Sequence, residues 1–543
     1  MTLSKRHGQH PAAAPGLPAQ LLALGLAINC AFAVGSAHAQ ATDAGPRFAI
    51  NSFAVEGNSL LGAAEVLSLL APYTGTRQGF ADVRRAVEAL QAAYRKRGYN
   101  AVVVSLPEQE LDKDVVRLQV TEARIGAVRV EGNENFDTTN IRASLPALRE
   151  GTVPNVRDIS ASLKIANTNP AKQVTMALAD GEAAGTIDAT LRVRDEKPWR
   201  LGLTADNTGT PDTGRTRINA LVQHANLFGR DHVASLQYGT SVEKPSQVSV
   251  YAAGYHLPLY ALGDSMDFFA SHSDVDSGSV TAGVLNLLVS GKGSTFGTRY
   301  NHTMPQWGDV ASALTLGIDH RNYLNDIGYS GTQLGGDVTL HPLSLGWAAE
   351  LPLAEAFANF QLTGVVNLPG GSGGRDADFA AQRIGATSSY KLLRLGGLYQ
   401  RQLPQQWQLL VRGNGQTSRD ALVAGEQFGA GGAGSVRGFT EREIAGDSGA
   451  FASVEVQTPN WCAATAVTAL QCRALAFADG ATVSRNNVQP GEDERTTISS
   501  LGLGLRLAHR HASLQVDLGR VLNGGGYRAN GDTRLHVGLA LSY

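Results

Sequence analysis

One arginine sits in the most unusual surroundings of any charged residue in this chain. Gly429–Ala430–Gly431–Gly432–Ala433–Gly434–Ser435–Val436–Arg437–Gly438–Phe439 holds Arg437 among apolar neighbours at the end of a glycine run. Glycine lets a backbone fold back tightly without Cβ clashes, so such a run aims one guanidinium at one place. A guanidinium withdrawn from water needs a partner, because an unpaired buried charge costs several kcal/mol. Asp479, in Leu475–Ala476–Phe477–Ala478–Asp479–Gly480, is one candidate. Alternation along a strand puts it on the same face as Phe477. On the residues alone two outcomes stand open: the two charges pair, or Arg437 is a solvated loop residue that never meets Asp479.

The other candidates for chemistry are weaker. The glycines of 429–434 also fit G-x-G-x-x-G, but a dinucleotide loop needs a following helix and an acidic residue about 20 positions on. Here the next element reads as another strand. Asp274–Val275–Asp276–Ser277–Gly278 resembles the start of a calcium loop and lacks the distal bidentate glutamate, so it reads as a solvated turn. His509 and His511 have no third ligand nearby and read as turn residues. There is no Gly-x-Ser-x-Gly, no His-Glu-x-x-His and no phosphate loop. The expectation is a protein that is not an enzyme, with no metal and no cofactor.

The compartment follows from the N-terminus. Lys5–Arg6–His7 precede an apolar stretch from Leu17 to Val34, which leads to Ala37–His38–Ala39. These are the charged, apolar and cleavage regions of a signal peptide, expected over 1–39. Beyond Val34 no apolar run reaches the roughly 20 residues of a membrane helix. A membrane span in this chain would therefore be a β-barrel. Cys30 leaves with the signal, and Cys462 with Cys472 reads as a disulfide closing a short loop. The net charge of −2 comes with no basic cluster, so nucleic acid is not a suggested partner.

Positioning elements follow from repeats and periodicity. Val55–Glu56–Gly57–Asn58 recurs as Val130–Glu131–Gly132–Asn133, each ending a short alternating strand. In the first copy Phe80, Val83, Val87, Leu90 and Tyr94 mark one face of a helix that Gly98 ends. Strands are expected at Ala101–Leu106 and Val115–Thr121. The second copy predicts helices near Thr138–Leu148 and Asn155–Asn167, with strands at Val174–Ala179 and Thr186–Val193. From Pro198 helical periodicity gives way to alternating strands. Leu535, Val537, Leu539, Leu541 and Tyr543 form one apolar face, as do Leu501, Leu503, Leu505 and Leu507. This is the lipid-out, polar-in pattern of an outer-membrane barrel of about 16 strands. Ser277–Gly293 reads either as two more strands or as one long hairpin loop.

Two β-α-α-β-β units opened by V-E-G-N, the turn Asn226–Leu227–Phe228–Gly229–Arg230–Asp231, Val436–Arg437–Gly438–Phe439 and Phe477–Ala478–Asp479–Gly480 together resemble the two-partner secretion transporters of the outer membrane. These are the TpsB, or haemolysin secretion/activation, family of the POTRA-plus-barrel superfamily. The resemblance implies POTRA 1 over 48–122, POTRA 2 over 123–197 and a 16-stranded antiparallel barrel over 198–543, with a loop of about 421–446 folded inward. It implies that Val436, Arg437, Gly438 and Phe439 meet Phe477, Asp479 and Gly480 in the lumen. It implies a bacterial outer-membrane location with the POTRA domains periplasmic and the Cys462–Cys472 turn on the same side. The implied partner is an unfolded secreted exoprotein with an N-terminal secretion domain, of adhesin or haemolysin type, captured by the POTRA domains and threaded through the barrel. Outer-membrane lipids and, during biogenesis, the barrel assembly machinery are further implied partners. The competing reading is an assembly factor (insertase) of the same superfamily, against which two POTRA units speak, since insertases usually carry more. Some members carry an N-terminal plug helix. Gln40–Arg47 is about eight residues, only ~12 Å as helix, so a barrel closed at rest is expected to be closed by its own loop.

Overall fold

A computed structural model describes residues 46–110, 113–274, 278–282, 285–289, 292–324, 328–329, 332–333, 336–464, 469–525 and 527–543. The expected signal peptide lies outside the described residues.

The V-E-G-N repeat makes the same turn twice. Gly57 and Gly132 take φ of 81° and 80°, a region that side-chain-bearing residues avoid. A Cβ at Gly132 would come within 2.6 Å of the Val193 carbonyl oxygen, and one at Gly57 would collide with that of Val120. The Asn58 and Asn133 side-chain amides then donate to Leu61 O (2.9 Å) and Phe136 O (2.8 Å). A carboxylate from the unit's last strand accepts the next amides: Glu122 from Ser59 and Leu60, Asp195 from Asn135 and Phe136.

Each turn opens an α+β unit. In the first, Ser52–Glu56 lies parallel to Val115–Glu122, which pairs antiparallel with Val102–Ser105. Helices Ala63–Leu70 and Phe80–Lys96 bury Val66, Leu70, Val83, Leu90 and Tyr94 against Leu118 and its neighbours. In the second, Arg124–Glu131 lies parallel to Thr186–Asp195, which pairs with Lys172–Asp180, under helices Thr138–Ala143 and Val156–Ala166. One expectation shifts. Phe80 opens its helix but is 61% exposed, and Ala86 takes a place in the buried stripe instead.

The barrel strands are β1 Trp199–Asp206, β2 Arg217–Leu227, β3 His232–Ser241, β4 Ser249–Leu259, β5 Asp264–Ser273, β6 Gly293–Thr303, β7 Ala311–Tyr323, β8 Val338–Leu340 with Pro342–Pro352, β9 Ala356–Asn367, β10 Lys391–Gln402, β11 Gln408–Ser418, β12 Ser448–Gln457, β13 Leu470–Ser484, β14 Arg495–His509, β15 Ala512–Asn523 and β16 Thr533–Ser542. They close into one antiparallel barrel. Both parts of β8 pair with β7 in one register. The ladder breaks at His341 because Pro342 has no N–H and the His341 amide donates to Asn367 Oδ1 instead (2.7 Å). Gly278–Ala282 and Leu285–Val289 pair with each other, so the described residues of this segment before β6 add a hairpin and no barrel strand. Leu501, Leu503 and Leu505 point outward and exposed, as a lipid-facing band requires.

The second unit is seated on the barrel. Lys172 forms an ion pair with Asp231 in the β2–β3 turn, both side chains almost wholly buried. Tyr260 Oη donates to the same carboxylate (2.6 Å). Asn140 donates to Asn226 Oδ1 (3.1 Å) and Gly229 O (2.7 Å), and Asn169 to Ala225 O (2.6 Å). Ala225 and Val233 of the barrel complete the second unit's apolar core. The turn Asn226–Asp231 is thus the socket for this unit. Connections alternate ends around an antiparallel barrel. The Cys462–Cys472 disulfide, which ties the β12–β13 connection to the start of β13 with Cα atoms 5.4 Å apart, therefore shares the end of the β2–β3 turn, and the β11–β12 loop opens at the other.

Candidate functional site

The β11–β12 loop is built to turn back into the barrel. A single 3-10 turn, Ala424–Glu426, leads into a short hairpin of Phe428–Ala430 with Ile444–Gly446, and the glycine-rich tip lies between them. The hairpin carries an apolar side. Ala430, Val436, Phe439 and Ile444 pack on Phe451, Ala481, Val483, Ile498 and Val521 of the inner wall. Val436 and Phe439 have no exposed surface. In the loop motif these two residues are the apolar anchor and Arg437 is the polar one.

Arg437 is 1% exposed, among the largest wholly buried side chains described. Its Nε donates to Asp479 Oδ2 (2.8 Å) and Nη2 to Asp479 Oδ1 (2.9 Å), a two-pronged contact. Its backbone amide also donates to Asp479 Oδ2 (3.1 Å). Nη1 donates to Glu455 Oε2 (2.8 Å) and lies 3.6 Å from Asp517 Oδ1, and Nη2 reaches Ser453 Oγ (3.3 Å). The guanidinium carbon sits 3.4 Å from the centre of the Phe477 ring. An aromatic ring in the lumen is thereby explained, since its face takes a cation. Planar, two-pronged geometry of this kind fits a guanidinium and not an ammonium.

Two paired glycines make room for the contact. Gly502 and Gly519 face each other on β14 and β15. The Phe477 ring lies over Gly502, where a Cβ would collide with it. A Cβ on Gly519 would approach Gly438 N to 2.5 Å and the Arg437 carbonyl carbon to 2.7 Å. Gly438 N donates to His536 Nε2 (3.0 Å). Gly480, grouped with this motif in the sequence, has no such constraint: a Cβ there would meet nothing nearer than Ile498 O at 3.9 Å.

The structure therefore brings Val436, Arg437, Gly438, Phe439, Phe477 and Asp479 together and leaves Gly480 as a neighbour in the strand. Sequence reasoning missed Glu455, Ser453, Asp517, Arg506, His536, Gly502 and Gly519. A signal existed for some of them. Ser453 and Glu455 alternate with the lipid-facing Val454, and Asp517 alternates between Val516 and Leu518. Arg506 grips Asp517 with both nitrogens (2.8 and 3.0 Å) and lies 3.8 Å from Glu455, so the anionic wall is partly compensated before the loop arrives. Among the described residues no group of three or more His, Cys, Asp and Glu side chains is placed to hold a metal. Of the acidic turn 274–278, residues 275–277 lie outside the described residues, and Asp274 accepts from Ser249 Oγ (2.9 Å).

Comparison with known proteins agrees with this architecture. The model of the haemolysin secretion/activation protein family ShlB/FhaC/HecB matches residues 185–507, and that of the ShlB-type POTRA domain matches 48–123. The outer membrane transporter CdiB of Escherichia coli is 25% identical over 500 residues, covering 87% of this chain and 79% of that protein. The hemolysin transporter protein ShlB of Serratia marcescens is 25% identical, covering 80% and 75%. The solved structure of CdiB from Escherichia coli shares the fold with a TM-score of 0.74 at 23% identity, over 94% of this chain and 93% of that one. With a family match over more than half its length, on a closed 16-stranded barrel preceded by a POTRA domain, the chain belongs to the haemolysin secretion/activation (ShlB/FhaC/HecB) family of outer-membrane two-partner secretion transporters.

Proposed function

We propose that Arg437 is the gate lock of this transporter, holding the β11–β12 loop across the lumen until the secreted partner displaces it. The supporting observation is the burial of a loop arginine against Asp479 and Glu455 on the barrel wall. A two-pronged pair in a water-poor site is stronger than a surface pair, yet it holds by a handful of bonds that a competing chain can exchange. No nucleotide is implicated, so the export step draws on folding of the partner once it has emerged. The partner class is an exoprotein with an N-terminal secretion domain, of the adhesin or haemolysin type. The POTRA units take it in extended form by adding a strand at a sheet edge, the general mode in which backbone bonds give affinity and side-chain pockets give selectivity. Insertion of the barrel itself is the task of the barrel assembly machinery.

The test is secretion by Arg437→Ala at matched barrel levels in the outer membrane. Removing one partner from a fully buried pair costs ~3–5 kcal/mol, less in a wet lumen. Secretion is expected to fall and ion conductance to change. Arg437→Lys is expected to fail as well, because it lacks the planar fork. Full secretion by Arg437→Ala would remove Arg437 from the mechanism.

A further inference from the structure

The inward loop carries a second buried charge, of opposite sign, eleven positions before Arg437. Glu426 ends the 3-10 turn at the loop's base and has no exposed surface. Its carboxylate accepts from Arg321 Nη1 (2.5 Å) on β7 and Arg394 Nη2 (3.1 Å) on β10, and from the Tyr323 hydroxyl (3.1 Å). Its carbonyl accepts from Gln416 Nε2 (2.9 Å), and Gln416 is itself held by Arg394 Nε (2.9 Å). Arg321 also donates to Asp319 (2.6 Å), whose other partner is Arg299. The result is a chain of alternating charges running from β6 across β7 and the loop to β10.

The two walls are therefore opposite in sign where the loop touches them. Near β12, β13 and β15 the wall presents Asp479, Glu455 and Asp517, and the loop presents Arg437. Near β6, β7 and β10 the wall presents Arg299, Arg321 and Arg394, and the loop presents Glu426. Without Glu426, three arginines there would face the single carboxylate of Asp319. Close packing accompanies the charge: a Cβ at Gly425 would meet the Tyr323 ring at 2.5 Å. A loop that slid outward would break both contacts together, whereas a loop pivoting on either one would break only the other.

We propose that Glu426 is a second, charge-reversed lock that holds the base of the loop on the wall opposite Arg437, so that opening the lumen requires both to release. This rests on reading the loop as the gate. The probe is Val436→Cys, at a wholly buried tip position, in the full-length protein in whole cells, labelled with a membrane-impermeant thiol reagent. Folding is monitored by heat-modifiable migration of the barrel. Glu426→Gln, and separately Arg394→Gln, are expected to raise labelling at least tenfold, since each breaks the Arg394–Glu426 ion pair. The second lock is refuted if Arg437→Ala raises labelling while Glu426→Gln and Arg394→Gln stay at the parent level. If Arg437→Ala is also silent, the gate reading fails and the second lock fails with it. Should Glu426→Gln fail to yield a heat-modifiable barrel, Arg394→Gln, which leaves the loop intact, decides the question.

Discussion

The two periplasmic units share a topology, a turn and a capping carboxylate, and they differ in what their outer surfaces meet. The first keeps Leu67, Phe80 and Val103 exposed, at 66%, 61% and 55%. The second packs part of its surface on the barrel: Asn140, Ser162, Asn169 and Lys172 all contact β2–β5 turns or strand ends. It even borrows Ala225 and Val233 for its core. The units are joined by Val156 N donating to Gly98 O (2.9 Å) and Asn155 to Arg97 O (3.0 Å). One fold thus serves two purposes. The second unit is an anchor packed on the barrel, and the first keeps these apolar side chains in solvent.

The comparison is broken most severely at Lys172. Burial pushes its ammonium below the usual lysine range, with Asp231 opposing that shift. Lys172→Ala strands a buried carboxylate, a loss of ~3–5 kcal/mol. The second unit of the full-length protein should then become sensitive to limited proteolysis near Lys197 while the first stays protected. Unchanged protection of the second unit would refute the anchor.

Gly57→Ala and Gly132→Ala sharpen the comparison at intermediate cost. Each forces a Cβ into left-handed backbone against a neighbouring strand's carbonyl, a strain of ~1–3 kcal/mol. Melting of a soluble fragment spanning 46–197 should fall by similar amounts for both. A tolerated Gly57→Ala would show that the repeated turn does different work in the two units.

The smallest effect is on acidification. Burial opposes ionisation of Glu122, but hydrogen bonds from Ser59 and Leu60 outweigh it and hold the carboxyl below the usual range. Asp195 is likewise held low by the Asn135, Glu134 and Phe136 amides against its burial. A depressed folded value means that the stabilisation is complete above the unfolded carboxylate range, about pH 4, and fades as pH falls through the folded values. Melts of the same fragment between pH 7 and pH 3 should decline only at the acid end. Glu122→Gln and Asp195→Asn should flatten that decline, each in its own unit. A decline unaltered by both would place the acid sensitivity elsewhere.

Much of this organisation was legible in the residues. V-E-G-N repeats because one turn geometry demands glycine at positive φ and an asparagine to cap it. The strands of the barrel alternate because water lies on one side and lipid on the other. Phe80 misled because it has helical spacing, yet as the first residue of its helix it stays exposed. The segment 277–293 has strand-forming residues, and whether it joins the barrel depends on the register of β5 with β6, which local sequence does not contain.

By itself the sequence determined the local terms: two α+β units, a barrel, a paired cysteine turn, and a glycine-rich loop that presents one arginine beside apolar anchors. The partners of that loop were decided only in three dimensions. Asp479 was visible as an inward carboxylate, but Glu455, Asp517, Arg321 and Arg394 are equally inward and charged, and nothing local ranks them. Barrel closure and register place Asp479 and Glu455 beneath Arg437, set Gly502 against Gly519 to clear the space, and bring β7 and β10 around Glu426. The Lys172–Asp231 pair likewise joins residues 59 positions apart through the seating of one domain on another. Side-chain alternation is a property of a single strand, whereas a buried ion pair is a property of the tertiary assembly, because only the packing of loop on wall or of domain on barrel removes the water that would otherwise satisfy each charge alone.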